Sequence, residues 1–324
     1  MSESSNAVTP VAVVTGSSSG IGRATAIALR RAGYAVVVHA RSNLAGLQSV
    51  AGELQEYDSP GSFPRSGERS YRRQTVAGER RIPRSGERSY RRQTVAGVDL
   101  PSSDPRSGER SYRREGNDQV LCVTGDIACP NACRDLVAAA FGWRGRVDAW
   151  INNAGADVLT GTARQQSFAV RLQRLCEVDV QGTVRLSRLV APRMLDQPPR
   201  SDLSPALPCI VNIGWDQAQL GMEGEPGQLF GTTKAAVAAF TMSLGLSYPG
   251  IRVNCVAPGW IQTQWGQSSA SGYWAQRAVD ESLQQRWGTA DDVAATIAWL
   301  VSDASSFVNG QIVAVNGGRR FYPQ

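Results

Sequence analysis

The stretch PVAVVTGSSSGIGRATAIALRRAGYAVVVHARS at residues 10–42 decides the fold of this chain of 324 residues. It contains an apolar run at 10–14, a glycine-rich turn at 15–22, a helical pattern, and a second apolar run at 35–39. Two strands joined through a helix form a βαβ unit, in which the strands are parallel. This stretch therefore predicts the first unit of an α/β sheet.

The turn TGSSSGIG has the properties of a pyrophosphate-binding loop. Gly16, Gly20 and Gly22 lack side chains, so the backbone can approach a phosphate closely, and the following helix presents free N–H groups and a positive dipole. The other predicted contacts of this turn are Ser18, Ser19 and Ile21. Because the turn follows the first strand of a repeated βα pattern, it predicts a dinucleotide site.

The βα alternation continues through the chain outside one window, 59–117. Further strands are predicted at 119–123, 147–151, 208–213, 251–256 and 311–315. Helices are predicted at 20–32, 43–56, 129–141, 163–194, 229–246 and 290–302. We expect residues 1–324 to form one doubly wound, Rossmann-type parallel sheet with helices on both faces.

The window 59–117 contains tandem repeats. PRSGERSYRRQTVAG occurs identically at 64–78 and 83–97, and PRSGERSYRR occurs at 105–114. The window has 14 Arg and 7 acidic residues, so it carries +7 of a total net charge of +6, and the rest of the chain carries −1. Arginine and tyrosine repeats could bind nucleic acid, but a disordered, low-complexity insertion in a surface loop explains them better. We therefore favour small-molecule partners over nucleic acid.

Composition excludes several other classes of function. The chain has one lysine, Lys234, and one histidine, His39, so a mechanism that needs several histidines is excluded. The six scattered cysteines do not form a metal-binding set, and we predict no metal. There is no uninterrupted apolar run of about 18 residues and no basic, apolar N-terminal signal. We expect a cytoplasmic protein without a membrane partner.

The end of the second strand bears on the choice of dinucleotide. NAD-binding folds place an acidic residue there for the ribose 2′-hydroxyl, whereas this strand ends in VVVHARS, with Arg41 and no acid. A guanidinium binds a 2′-phosphate in bidentate fashion. We therefore predict NADP(H), with NAD(H) as the second choice.

Four motifs together resemble the short-chain dehydrogenase/reductase family. They are TGSSSGIG, INNAG at 151–155, VAPGWIQT at 256–263, and RWGTADDVAATIAWLVSD…GQIVAVNGG at 286–318. The last two are most similar to those of 3-oxoacyl-carrier-protein reductases. The resemblance implies hydride transfer involving a carbonyl or alcohol, and a homodimer or homotetramer. It also implies cofactor contacts at Asp126, Ile127, Asn153, Ala154, Gly155, Lys234, Pro258, Gly259, Ile261 and Thr263.

The family's catalytic pattern is incomplete in this chain. The resemblance places a Tyr, a Ser and an Asn at the positions of Phe230, Trp215 and Asp179, and its lysine at Lys234. Between residues 205 and 242 there is no Ser or Tyr, although the Ser position could slide to Asp216 or Gln217. Since a carbonyl that accepts hydride must also receive a proton, Phe230 removes the usual donor.

A substitute acid is conceivable. Asp216 is the best candidate, followed by Asp179 and by Tyr273 in the variable stretch 264–285. The tryptophans near that stretch, which either line an apolar substrate pocket or pack a lid or a subunit contact, are Trp260, Trp265, Trp274 and Trp287. Two hypotheses remain. One is an NADP(H)-dependent oxidoreductase with weak or unorthodox catalysis on a small apolar carbonyl, and the other is a non-catalytic dinucleotide-binding sensor or partner subunit.

Overall fold

The computed structural model describes residues 9–58, 112–113, 118–198, 207–263 and 272–319, with only the backbone at 112–113. The tandem repeats of the window 59–117, apart from residues 112–113, and Trp265 lie outside the described residues.

Within the described residues, eight strands form one sheet. They are β1 (Val11–Val14), β2 (Ala35–Ala40), β3 (Tyr112–Arg113), β4 (Val120–Thr124), β5 (Ala149–Asn152), β6 (Cys209–Ile213), β7 (Arg252–Pro258) and β8 (Ile312–Val315). Their order is β3-β4-β2-β1-β5-β6-β7-β8, and every pair is parallel except β3 with β4. The prediction of a doubly wound parallel sheet with seven strands is confirmed. The order reverses at β1 and β5, which is where such sheets bind ligands.

The edge strand β3 was not predicted from the sequence. Tyr112 pairs with Val123 and Arg113 with Cys122, in antiparallel register. Without β3, strand β4 would be the edge of the sheet with a row of unpaired N–H and C=O groups, and this short extended segment pairs with part of that row.

Eight α-helices connect or cover the strands in the described part of the chain. They are α1 (Gly20–Arg31), α2 (Leu44–Gln55), α3 (Pro130–Arg144), α4 (Phe168–Leu175), α5 (Thr183–Asp196), α6 (Gly224–Ser247), α7 (Gly272–Glu281) and α8 (Ala290–Val301). Two buried clusters divide them between the faces: α1, α2 and α8 pack on one face, and α3, α5 and α6 pack on the other. Helices on both faces explain why the strands are almost uniformly apolar.

The predicted helix 163–194 is divided in the structure. Ser167 caps α4, with its side chain accepting a hydrogen bond from the Val170 N–H, so the preceding turn Gly161–Gln165 is a separate 3₁₀ helix. A π-helical turn, Cys176–Gly182, then separates α4 from α5. Such single-turn π segments often occur at functional sites.

Helix α6 has two properties that differ from the sequence expectations. It begins at Gly224, five residues before the predicted start. It is also the one helix among the described residues that is long and apolar enough to cross a membrane by length and composition, with a mean hydropathy of 1.3. Polar residues such as Thr232, Thr233 and Lys234 nevertheless interrupt its apolar sequence. In the structure α6 packs on the sheet and buries Leu229, Val237 and Leu244.

A buried chain of hydrogen bonds joins the middle of the sheet to α5 and α6. Asn152 donates to Ser187 Oγ (2.9 Å) and to Asn212 Oδ1 (2.8 Å), and accepts from the indole N–H of Trp150 (2.8 Å). Asn212 in turn donates to Thr241 Oγ1 at 2.9 Å. Since buried polar groups are costly unless paired, this chain fixes the two helices relative to β5 and β6.

His39, near the end of β2, joins the loops that follow β1 and β4 at the carboxyl edge of the sheet. Its ring contacts the Gly125 carbonyl through Nε2 (2.9 Å) and the Gly16 N–H through Nδ1 (3.5 Å), while its backbone N–H donates to Ser17 Oγ (2.8 Å). A neutral imidazole suits these contacts, with Nε2 donating and Nδ1 accepting. Burial lowers the pKa of His39 to about 4, although the Gly125 carbonyl and the charge of Asp126 oppose this.

Arg252, at the start of β7, is buried and binds the carboxyl end of α8. Its guanidinium donates to the carbonyl oxygens of Leu300 (2.6 Å), Ser302 (3.4 Å) and Ser305 (3.2 Å). The last carbonyls of a helix have no partner within the helix, and a cation there also favours the helix dipole.

We predict that Arg252→Met lowers the free energy of unfolding by about 3 kcal/mol, because buried carbonyl groups lose their donor. Urea denaturation measures the change. The matched control is Arg134→Met, at an exposed arginine of α3, which should change stability by less than about 0.5 kcal/mol. Equal effects of the two substitutions would contradict the role given to Arg252.

We also predict a pH dependence that comes from His39, the only histidine of the chain. Above pH 6.5 the imidazole is neutral in both states and its contribution is complete. As the pH falls from 6.5 towards about 4, His39 is protonated in the unfolded chain but stays neutral in the folded chain. The free energy of unfolding therefore decreases, on the order of 3 kcal/mol in total.

The measurement is the urea unfolding free energy between pH 7.5 and 4.5, compared with His39→Gln. The difference between the two proteins removes the contribution of the carboxylates that they share. Parallel pH profiles would show that His39 is not buried in its neutral form.

Candidate functional site

A polar cavity of about 560 Å³ lies at the carboxyl edge of the sheet, beside β1 and β5. Thirteen of the predicted cofactor residues line it: Gly16, Ser18, Ser19, Gly20, Ile21, Gly22, Arg41, Asp126, Ile127, Asn153, Ala154, Gly155 and Thr263. The other four, Lys234, Pro258, Gly259 and Ile261, line an adjoining cavity that is largely apolar. The fold thus brings all seventeen predicted residues around two connected spaces.

The glycine turn is held against the loop that follows β5. The backbone N–H groups of Asn153 and Ala154 donate to Thr15 Oγ1 at 3.0 Å, and the Asn153 amide donates to the carbonyls of Thr15 (2.9 Å) and Gly16 (3.1 Å). A Cβ on Gly16 would lie 2.8 Å from Ala154 Cα, and one on Gly22 would lie 2.3 Å from the Gly16 carbonyl oxygen. Glycine is therefore required at both positions, and Gly16 also has a positive φ of 65°.

These features fit a dinucleotide. The N-terminus of α1, at Gly20, opens into the polar cavity, and helix N-termini bind phosphate groups through free N–H groups and the helix dipole. Space, backbone donors and the glycine cradle coincide at the point where the strand order reverses.

Asp126 lies at the same cavity between cationic side chains. Its carboxylate accepts from the Ala128 N–H (2.9 Å) and pairs with Arg174 (2.8 Å). Burial opposes ionisation of Asp126, but these two hydrogen bonds and the charge of Arg41 together hold its pKa below the usual range. Arg174, on α4, was not predicted as a site residue, since nothing in the sequence marks it among the arginines of a helix.

Lys234 and Asp179 form a buried ion pair. Lys234 Nζ lies 3.0 Å from Asp179 Oδ2 and donates to the Ile213 carbonyl at 3.1 Å, while Asp179 Oδ1 accepts from the Ala156 N–H at 2.8 Å. Asp179 belongs to the π-helical turn and is 2% exposed. The positive charge of the lysine is thus balanced within the protein by a carboxylate that the cavity does not reach.

The apolar cavity has a volume of about 460 Å³. Phe230 and Trp215 both line it and meet edge to face, with ring centroids 6.4 Å apart. Trp260 and Trp287 line it from the other side and lie 5.9 Å apart. Its polar side chains are Lys234, Asp157 and Thr263, and among its described lining residues there is no Ser, Tyr or His.

Asp216 and Tyr273 are not among the residues that line this cavity. One oxygen of the buried Asp216 carboxylate accepts from the Asn316 amide at 3.1 Å, and the other has no hydrogen-bond partner. Burial raises the pKa of Asp216, and the Asn316 hydrogen bond opposes that rise. Tyr273 is 63% exposed and contacts Trp274. Neither of these two residues therefore lines the apolar cavity: Asp216 lies in the turn Asp216–Ala218 after β6 and bonds Asn316, and Tyr273 lies on α7 beside Trp274.

The tryptophans of the variable stretch pack around helix α7. Trp260 contacts Trp274 at 5.6 Å between centroids, and its indole N–H donates to Glu281 at 3.0 Å. Arg277 pairs with Glu281 at 2.6 Å and also with Glu223, which precedes α6. Trp260 and Trp287 both line the apolar cavity and also contact α7, Trp260 through Trp274 and Trp287 through the Ala275 carbonyl.

Two family models match this chain. The short chain dehydrogenase model matches residues 10–75, and the model described as enoyl-(acyl carrier protein) reductase matches residues 92–320. The second match covers more than half of the chain.

Curated relatives are similar over much or all of the chain. The uncharacterized oxidoreductase YgfF of Escherichia coli K12 is 28% identical over 311 residues, which is 95% of this chain and 99% of the relative. The 3-oxoacyl-[acyl-carrier-protein] reductase FabG of Thermotoga maritima is 31% identical over 183 residues, 54% of this chain and 66% of that protein.

Solved structures agree with the fold. A short-chain dehydrogenase/reductase from Brucella melitensis superposes with a TM-score of 0.67 at 20% identity, covering 97% of this chain and 98% of its own. A 7α-hydroxysteroid dehydrogenase, in complex with NADH and 7-oxo glycochenodeoxycholic acid, superposes with a TM-score of 0.67 at 23% identity, covering 96% and 94%. With the family models and the sheet order, these findings show that the chain belongs to the short-chain dehydrogenase/reductase family of oxidoreductases.

Proposed function

We propose that this protein binds NADP(H) and that it reduces simple carbonyl compounds only weakly. The observation that carries the proposal is the apolar cavity next to Lys234, where Phe230 and Trp215 stand in place of a proton donor and a polarising hydroxyl. Members of this family bind a nicotinamide dinucleotide, which supplies a hydride when reduced.

The residues proposed to hold the dinucleotide divide between its two ends. The glycine turn and the N-terminus of α1 would hold the pyrophosphate, and Asp126 with Ile127 would flank the adenine. At the other end Lys234 would bind the ribose, and Pro258, Gly259, Ile261 and Thr263 would contact the nicotinamide. Asn153, Ala154 and Gly155 would form the floor between them.

The preference for NADP(H) rests on Arg41. It follows β2, lines the polar cavity and is exposed to the solvent side, where a 2′-phosphate would emerge. The neighbouring residues Ser42 and Asn43 carry no negative charge that would repel a phosphate. A guanidinium supplies two parallel donors to such a group.

Weak carbonyl reduction follows from the charges at the apolar cavity. A lysine beside a phenol lowers the phenol's pKa, but Phe230 has no proton to give, and Asp179 neutralises Lys234. General acid catalysis contributes about 10²–10⁴-fold to such rates. The loss of the donor should cost a comparable factor.

A second candidate function is binding without turnover, as a sensor or partner subunit. The Lys234–Asp179 ion pair favours it, because a charge that is satisfied inside the protein has little to offer a substrate. The preference for a 3-oxoacyl substrate and the cytoplasmic location stay predictions.

We also propose a homodimer or homotetramer, as family members commonly form. Large apolar side chains on α4 and α6 are exposed and would be covered by a second copy: Phe168, Val170, Met242 and Leu246.

We predict that Arg41→Ala weakens NADPH binding by roughly 10- to 100-fold and leaves NADH binding almost unchanged, since a charge-assisted hydrogen bond contributes about 1.5–3 kcal/mol. Isothermal titration calorimetry with both dinucleotides measures this. Arg134→Ala, on the exposed side of α3, is the matched control. Equal losses for NADH and NADPH would overturn the assignment of Arg41 to the 2′-phosphate.

We predict that Phe230→Tyr with Trp215→Ser raises ketone reduction by about 10²-fold or more, because a proton donor is restored. Adding Asp179→Asn should raise it further, since removal of the carboxylate lets Lys234 lower the phenol's pKa. Steady-state NADPH oxidation with cyclohexanone and a 3-oxoacyl ester measures the rates. Asp216→Asn in the unaltered protein should have no effect.

Fast ketone turnover by the unaltered protein would contradict the proposed weak catalysis. A loss of that turnover in Asp216→Asn would instead restore Asp216 as a substitute acid. Failure to bind either dinucleotide would remove the proposed function altogether.

A further inference from the structure

We propose that the apolar cavity accepts a quinone, a planar conjugated dicarbonyl compound, as the hydride acceptor. This inference rests on the proposed binding of NADP(H) and names the substrate class of the same site. The described side chains that line the cavity provide flat aromatic surfaces, and none of them is a Tyr, Ser or His.

The missing acid distinguishes one class of carbonyl compound from another. A simple ketone that receives hydride becomes an alkoxide, whose basicity is close to that of hydroxide, the conjugate base of water with a pKa of about 15.7. Such an anion needs a proton from the protein as it forms. A quinone becomes a phenolate, and phenols have a pKa of about 10. The phenolate is about six orders of magnitude less basic than the alkoxide. It can therefore form in a site that has no acidic side chain to protonate it.

The reaction balances without a protein acid. The quinone gains two electrons and one hydrogen as hydride: one oxygen forms an O–H bond, the ring becomes aromatic, and the other oxygen holds the electron pair as a phenolate. The reduced nicotinamide of the proposed NADPH would supply that hydride and so lose the same two electrons and one hydrogen. The phenolate then takes its proton from water after leaving the cavity.

The shape of the cavity suits a flat ring system. Trp215 and Phe230 form one wall and Trp260 and Trp287 form another, and all four contact the same space of about 460 Å³. That volume lies in the range of small-ligand pockets, about 300–1,000 Å³. Aromatic side chains bind planar rings through offset or edge-to-face contacts, which add to the area that they bury.

The polar groups of the cavity fit the product. Lys234 has three N–H groups, of which one donates to the Ile213 carbonyl and one faces Asp179. Lys234 also lines the cavity, so its third N–H group would donate a hydrogen bond to a developing phenolate, although Asp179 balances the charge of the lysine. Asp157, the carboxylate of the cavity, accepts hydrogen bonds from the backbone N–H groups of Leu159 and Thr160, which partly balance its negative charge.

Binding is tested first, without any dinucleotide. The probe is 2,3-dimethyl-1,4-naphthoquinone, whose blocked ring positions prevent addition of the exposed thiol of Cys129. Its dissociation constant is measured by quenching of tryptophan fluorescence. Trp215→Leu should weaken binding by roughly fivefold or more, as expected for the loss of an aromatic contact, and Trp215→Phe should restore most of it. Trp299→Leu, at a half-exposed tryptophan of α8 outside the cavity, should not change it.

Turnover is tested second, against a matched ketone. The quinone is compared with 1-tetralone, a bicyclic ketone of similar size, by following NADPH oxidation and subtracting the reaction without protein. We expect the quinone to react at least 10²-fold faster, consistent with the usual contribution of a general acid to ketone reduction, about 10²–10⁴-fold. The quinone rate should also be constant between about pH 6 and 9, because the proposed step takes no proton from the protein.

The outcomes separate this inference from the proposed function. NADPH binding without quinone binding, or with faster turnover of 1-tetralone, would overturn the quinone assignment and leave dinucleotide binding intact. A quinone rate that falls as a single group titrates between pH 6 and 9 would overturn it as well. Quinone binding with equal loss in Trp215→Leu and Trp299→Leu would show binding outside the cavity. Failure to bind NADPH would overturn the proposed function itself.

Discussion

The contact between the loop after β1 and the loop after β5 determines the site. Thr15 and Gly16 accept hydrogen bonds from Asn153 and Ala154, and the glycine lies so close to Ala154 that a Cβ would meet its Cα at 2.8 Å. These loops come together because β1 and β5 are parallel neighbours although more than 130 residues separate them. The two cavities share residues from both loops, so their position depends on this one approach.

The charged part of the site depends on a second constraint, farther into the molecule. The buried amides Asn152 and Asn212 fix β5 and β6 to helices α5 and α6 through Ser187 and Thr241. Asp179 lies in the π-helical turn directly before α5, and Lys234 lies within α6. Burying two charges costs desolvation free energy. The fixed helices offset this cost because they hold Asp179 and Lys234 within ion-pair distance of each other.

The sequence predicts the sheet and the loops that line the two cavities well because both depend on local pattern. Alternating apolar runs and helices determine seven strands, and the glycine turn lies where a βα repeat requires it. Contacts between distant elements are less accessible. Arg174 resembles any helical arginine, the roles of His39 and Asn212 depend on which strands are neighbours, and the carboxylate of Asp216 could face either cavity until β6 and Asn316 are placed. The separate start of α4 depends on the cap at Ser167, and helix α7 on tryptophan packing, neither of which has a periodic signature.

The order of the strands also explains where this chain can tolerate tandem copies of a peptide. The repeats lie between α2 and β4, and β4 is separated from β1 by the whole of β2. A connection there has only to return the chain to the outer part of the sheet, and lengthening a loop costs little free energy, about 0.6 kcal/mol for each doubling. Duplication of the same length between β1 and α1 would destroy the glycine cradle. The fold thus tolerates a change of length in the connection between α2 and β4, but not in the turn between β1 and α1.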